Sequence, residues 1–130
     1  MTRQPSAMEL ARRYAEAALD RKAERVVALD VASLTSFTDA FVIATGTSDR
    51  HVKAVADAVI ERAHELGAKP LGVEGYEGGE WVLIDLDDVI VHVFQGEKRE
   101  HYDLERLWAD APVSTFEVGE GGGVREGRAK

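Results

Sequence analysis

The sequence predicts a single-domain α/β protein. Its 130 residues suffice to bury one core, and because they include no cysteine the fold must depend on packing alone. Apolar residues recur at helical spacing in two segments, and short runs rich in β-branched residues separate and follow them. The predicted order is α-β-β-α-β-β-β-α, with a mixed sheet of about five strands and packed helices.

The N-terminal half contains the first helix and two strands. Ser6-Ala7-Met8-Glu9 matches a capping box, which predicts a helix reaching about Lys22. Apolar runs predict strands at 25–31 and 40–45, joined by a loop of residues that hydrogen-bond locally. The residues of this helix expected to face the core are Leu10, Tyr14, Ala17 and Ala18.

The second half begins with a long helix. Thr47 or Ser48 is expected to cap it and Gly67 to end it, and the residues expected to face the core are Val52, Val55, Val59, Ala63 and Leu66. A brief strand at 71–74, a Gly-rich loop at 75–80 and a final short helix at 102–108 are predicted. We expect residues 1–7 to be an N-terminal extension and 8–112 the folded domain. The Gly, Glu and Arg-rich composition of 113–130 predicts a disordered tail.

Residues 70–97 contain seven acids and no Lys or Arg. Within them, 81–94 is typical of a β-hairpin turning near Asp87. Pairing around that turn groups one aliphatic, core-facing set: Val82, Ile84, Leu86, Val89, Val91 and Val93. The opposite face is mixed: Trp81, Leu83, Asp85, Ile90, His92 and Phe94. Such a face is covered either by another element of the chain or by a partner.

Several groups of residues could in principle bind an anion or a metal ion or carry out catalysis, but each has a simpler explanation or lacks a required residue. Gly46-Thr47-Ser48 near Arg50 could bind an anion, but helix capping explains it better. Asp85, Asp87 and Asp88 could hold Mg²⁺, although acids are common in turns. Ser48 and His51 lack a triad acid, and the histidines lack zinc-ligand spacing. We therefore predict no catalytic residue, no metal and no cofactor.

The composition also limits the partners and the location. A net charge of −8 disfavours direct nucleic-acid binding and favours a basic protein partner. No apolar run approaches the roughly 20 residues that span a membrane. Glu9, Glu16 and Asp20 argue against an organellar transit peptide, so a cytoplasmic protein is expected.

Several motifs occur together in a distinctive order. They are Leu34-Thr35-Ser36-Phe37-Thr38-Asp39, the run from Phe41 to Ser48 with Arg50-His51-Val52, the run from Pro70 to Gly75, the two hairpin strands, Tyr102-Asp103-Leu104-Glu105 and Leu107-Trp108. In these motifs the chain resembles the ribosomal silencing factor family, RsfS or Iojap-like, over about residues 8 to 110.

The resemblance implies a non-enzymatic factor that represses translation when nutrients are limiting. It further implies binding to the large ribosomal subunit through ribosomal protein uL14, which would block joining of the small subunit. The resemblance also implies a homodimer when free, and a nucleotidyltransferase-like core without the catalytic signature. A metal-dependent, nucleotide-binding enzyme is the alternative function.

On this interpretation we expect one set of residues to bind the partner: Glu74, Trp81, Leu83, Asp85, Asp88, Ile90 and His92. Arg50 and His51 belong to the matched motif and would serve either helix capping or dimer contacts. The competing interpretation places Trp81 and Phe94 beneath the chain's own helices, with only the acids exposed. Asp87 stands where the family commonly has Gly, and left-handed backbone there is tolerable for Asp. Ala40 stands where a bulkier residue is usual, so the packing or surface contact that the family makes at this position is not expected to be the same here.

Overall fold

The computed structural model describes residues 5–129, so Lys130 and residues 1–4 of the expected N-terminal extension lie outside the described part. The α-helices are α1 (Ala7–Asp20), α2 (Asp49–Glu65), α3 (Gly96–Tyr102) and α4 (Leu104–Leu107). The strands are β1 (Glu24–Asp30), β2 (Ala40–Gly46), β3 (Gly72–Glu74), β4 (Trp81–Asp85), β5 (Val89–Gln95), β6 (Val113–Val118) and β7 (Val124–Ala129). The single-domain α/β class and the order of the first seven elements are confirmed.

The strands form one mixed sheet in the order β3-β4-β5-β2-β1-β6-β7. β2 and β5 run parallel, and the other described pairs are antiparallel. α1 and α2 pack together on one face, whereas residues of α4 pack against the opposite face. The mixed sheet is confirmed, but it has seven strands rather than the five expected.

The additional strands lie where the sequence was expected to be disordered. β6 pairs with β1, and β7 pairs with β6 across a Gly-rich turn at Glu120–Gly122. Phe116 is buried in the core shared with α1. β6 forms because its β-branched and aromatic residues meet the free backbone edge of β1. The expectation of a disordered tail is corrected for the residues up to 129.

The caps of the two long helices agree with the predictions. Ser6 Oγ accepts from Glu9 N at 3.1 Å and Ser6 N donates to Glu9 Oε1 at 2.7 Å, which completes the capping box. Ser48 caps α2, and Gly67 follows its end at φ 81°. Leu66, which was expected to face the core, is 39% exposed because it lies at the C-cap of α2.

The predicted final helix is divided in two. Asp103 has a left-handed backbone (φ 49°), which interrupts helical hydrogen bonding between α3 and α4. α3 also begins at Gly96, directly after β5, earlier than the pattern indicated.

The hairpin register confirms the two predicted faces. Trp81 pairs with Phe94 and Asp85 with Ile90, and the turn is tight, with Leu86 N bonded to Val89 O at 2.9 Å. Asp87 adopts φ 74°, the left-handed conformation that the turn requires. The six aliphatic residues predicted for the core face are all buried against the helices.

Candidate contact surface

Seven rings on the second face form a continuous series of contacts, which we call the aromatic belt. Its members are Phe37, Phe41, Trp108, His92, Trp81, Phe94 and Tyr102. The centre of the belt is buried, whereas Phe37 at one end is 60% exposed and Tyr102 at the other is 45% exposed. Exposed aromatic surface of this extent is characteristic of contact sites.

Trp81 is half-buried and held by three rings. It stacks on Phe94 with centroids 4.9 Å apart, and lies 4.5 Å from the ring of Tyr102. Its Nε1 donates to His92 Nδ1 at 3.1 Å. The indole is therefore fixed in orientation while part of it stays accessible.

Four of the residues predicted to bind a partner lie along this side of the hairpin, two beside the indole and two at the far end of β4. Leu83 is half-buried beside Trp81, and exposed Glu74 pairs with Leu83 across the β3–β4 register. Glu74, Trp81 and Leu83 line a shallow depression of about 210 Å³. Asp85 is half-buried next to the turn and exposed Asp88 lies within it.

Ile90 and His92, also predicted to bind a partner, are 8% and 4% exposed. Little of either side chain is left for a partner to touch, so both support the surface from beneath. Phe94 is fully buried, as the competing interpretation expected, but Trp81 is not. The elements that follow β5 cover the centre of the mixed face and leave its β4 side, at Trp81 and Leu83, only partly covered.

His92 is a neutral imidazole. Because its Nδ1 accepts the Trp81 indole hydrogen, the ring proton lies on Nε2, which has no hydrogen-bond partner within the described chain. Burial lowers the pKa of His92 to about 4. The folded protein therefore excludes the charged form of this side chain near neutral pH.

This burial predicts a loss of stability on acidification. The unfolded chain takes up a proton near pH 6.5, whereas folded His92 does not until about pH 4. Protonation of the unfolded chain therefore lowers the free energy of unfolding as the pH falls from 6.5 towards 4. At pH 5 this reduction is about 2 kcal/mol. We expect the stability of the wild type relative to His92→Gln to fall by that amount between pH 7 and pH 5, measured by urea unfolding. Parallel pH profiles would contradict the prediction.

The loop before β4 also fixes Trp81. Gly75 has φ 81°, and a Cβ there would collide with the Trp81 carbonyl oxygen. Gly79 has φ 69°, and a Cβ there would lie 2.7 Å from Asp49 Cβ. The loop is therefore packed closely between the start of β4 and the start of α2.

His51 makes contacts within the chain. Its Nδ1 accepts from Thr47 N at 2.8 Å, and its Nε2 lies 2.7 Å from the carbonyl oxygen of Arg21, so Nε2 carries the proton. The ring thus connects the β2–α2 loop to the end of α1. Arg50 is exposed, and its backbone N donates to Asp49 Oδ1 at 2.8 Å.

The pairing of Arg99 with Glu105 was not predicted from the sequence, although Glu105 belongs to one of the matched motifs. Arg99 is 3% exposed, and its guanidinium forms a two-bond pair with Glu105, at 3.2 and 2.9 Å. It also donates to Thr45 Oγ1 at 2.8 Å and to the Arg25 carbonyl oxygen at the β1 bulge. The hydrogen bond from Arg99 lowers the pKa of the Glu105 carboxyl. This pair holds α3 and α4 on the sheet, and only its position in the fold reveals it.

Within residues 5–129, no group of three His, Cys, Asp or Glu side chains is arranged to hold a metal ion. No helix in that range is long and apolar enough to cross a membrane. The fold and the second face define an α/β protein whose sheet carries partly exposed aromatic side chains with acidic residues on the same side.

Comparison with known proteins assigns the family. Residues 4–129 match the model of the family described as "Ribosomal silencing factor during starvation". The curated "Ribosomal silencing factor RsfS" of Halalkalibacterium halodurans is 44% identical over 112 residues, 86% of this chain and 96% of that protein. A crystal structure from Chromobacterium violaceum is 41% identical with a TM-score of 0.78, covering 81% of this chain and 88% of the other. The mouse "Mitochondrial assembly of ribosomal large subunit protein 1" is 33% identical over 75 residues, 55% of this chain and 33% of that protein.

The chain belongs to the RsfS family of ribosomal silencing factors. The resemblance drawn from the sequence motifs is thereby confirmed.

Proposed function

We propose that the protein binds the large ribosomal subunit through ribosomal protein uL14 and sterically blocks joining of the small subunit, repressing translation under nutrient limitation. Family membership supports the translational role, and the name of the mouse relative supports the large subunit. The observation that carries the proposal is the half-exposed Trp81, which is held in a fixed orientation beside Leu83 and the acidic Glu74.

In this proposal the apolar contact is made by Trp81 and Leu83. An aromatic side chain that is already fixed loses little entropy on binding, and aromatic residues dominate interface energies. Glu74, Asp85 and Asp88 would pair with basic residues of the partner, which favours fast encounter and a defined orientation. Ile90 and His92 would hold this surface in shape.

Several further properties belong to the same proposal. The chain would act as a regulator rather than an enzyme, without direct nucleic-acid contacts, in the cytoplasm, and as a homodimer when free. A nucleotidyltransferase-like core without the catalytic signature, which the family resemblance implies, belongs to the same proposal. Because Asp85 Oδ1 already accepts from Asp87 N at 3.0 Å, we favour a turn role for this carboxylate over a metal-binding one.

A subunit-joining assay tests the proposal. Purified small and large subunits are mixed with increasing protein and separated on sucrose gradients. We expect the peak of joined ribosomes to fall and free subunits to rise, with the protein migrating with large subunits. Val118→Ala, which alters a 54% exposed aliphatic residue on β6, away from the β4–β5 hairpin and the aromatic belt, should act like the wild type. Unchanged joining at saturating protein would refute the proposed function.

A further inference from the structure

Phe37 is an exposed aromatic residue in a loop that is firmly held. Its ring lies 6.2 Å from Trp108 in an edge arrangement and 6.2 Å from Phe41. The loop is attached to the hairpin turn by Thr38, which is 4% exposed and donates to the Asp87 carbonyl at 3.0 Å. A 60% exposed ring in a fixed position costs little conformational entropy when a partner covers it.

The hairpin turn and this loop form one unit. The Asp88 carbonyl oxygen accepts from both Asp39 N, at 3.0 Å, and Ala40 N, at 3.1 Å. Asp88, one of the acids assigned to the proposed contact, is therefore bonded directly to the segment that follows Phe37. A partner that reached Asp88 would also lie near this loop.

The aromatic belt connects Phe37 to Trp81 on the same side of the sheet. Phe41 lies 5.2 Å from His92, and His92 lies 6.0 Å from Trp81. Phe37 and Trp81 thus lie on either side of a buried centre, both partly accessible, and the exposed ring of Tyr102 lies next to Trp81. A flat partner surface that covers one is suitably placed to cover the other.

Charge specifies the partner's chemistry. Residues 26–49 contain no Lys or Arg, like residues 70–97, and the run 107–124 beside Trp108 contains none either. Asp39 and Asp88 are exposed beside the Phe37 loop. Such a surface repels the phosphates of RNA and attracts Lys and Arg side chains.

We propose that the Phe37 loop is a second contact site for the same partner, one that receives a basic segment of that protein and packs an apolar side chain of it against Phe37. This inference rests on the proposed function and extends its surface from β4 to the β1–β2 loop. Contacts at two separate points would fix the orientation of the protein on the large subunit, as a steric block of subunit joining requires.

Binding of purified large subunits to the immobilised protein tests this inference. We expect Phe37→Ala to weaken binding about tenfold or more, as loss of an interface aromatic does. Asp39→Lys should weaken binding by a similar factor without disturbing the aromatic packing. Val118→Ala, which alters a 54% exposed residue on β6 outside the belt, should bind within about twofold of the wild type.

The outcomes separate the two proposals. If the wild type binds and Trp81→Ala weakens binding while Phe37→Ala and Asp39→Lys bind normally, the second contact site is refuted and the proposed function stands. If the wild type does not bind large subunits, the proposed function fails and this inference fails with it. Circular dichroism and thermal unfolding show whether Phe37→Ala folds, and if it does not, Asp39→Lys decides.

Discussion

Replacing Trp81 by alanine is expected to weaken binding to the large subunit about 30-fold or more, equivalent to roughly 2 kcal/mol. The substitution removes a half-buried indole that is already oriented by Phe94, Tyr102 and the hydrogen bond to His92. It also removes the main apolar group of the proposed contact, whose acidic residues on their own contribute more to encounter rate than to affinity. Titration of large subunits against labelled protein measures the change.

Trp81→Phe is the matched control, because it keeps an aromatic ring and loses the indole N–H. We expect it to bind with an affinity between those of the wild type and Trp81→Ala. The dissociation rate should account for most of the difference, since interface truncations act mainly on that rate. A folded Trp81→Ala protein that binds within about twofold of the wild type would remove this residue from the contact surface.

Replacing Arg99 by methionine is expected to lower the free energy of unfolding by about 3 kcal/mol. Methionine keeps much of the apolar stem but cannot replace the bonds to Glu105, Thr45 and the Arg25 carbonyl. The loss should lie near the low end for buried pairs, because the Glu105 side chain is 39% exposed and water can screen its charge. Urea unfolding followed by circular dichroism measures the change.

Lys98→Met tests whether the effect is specific to Arg99. Lys98 is the neighbouring residue in α3, and its ammonium lies 3.8 Å from Glu80 in an exposed pair. Such pairs contribute little, so the change in stability should stay within about 0.5 kcal/mol. Equal losses in both variants would show that α3 tolerates no substitution and that the buried network has no special role.

The local parts of this structure follow directly from the sequence. The two faces of the β4–β5 hairpin are predictable because side chains alternate along a strand and the acidic turn fixes the register. The capping box at Ser6 and Glu9 is predictable because both partners lie within one helical turn. In each case the residues that determine the structure are neighbours in the chain.

The parts that the sequence did not predict depend on distant contacts. Arg99 bonds to Thr45 across 54 positions and to Arg25 across 74, and no periodicity signals such a pairing. β6 and β7 were missed because Gly and charged residues dominate the composition. Even so, Val113, Thr115 and Phe116 are typical strand residues. The Gly-rich run that follows them, at 119–123, is typical of a turn between two strands.

The β6–β7 hairpin has a consequence for solubility. Without it, the backbone of β1 along the apolar run Val26–Leu29 would be a free edge open to pairing with another chain. With it, the outermost strand is Val124–Ala129, which includes Arg125, Glu126 and Arg128. Charged edges resist intermolecular strand pairing. The segment that resembles a dispensable tail thus protects the protein against aggregation. Shortened versions that end before it would expose the β1 edge to pairing with other chains.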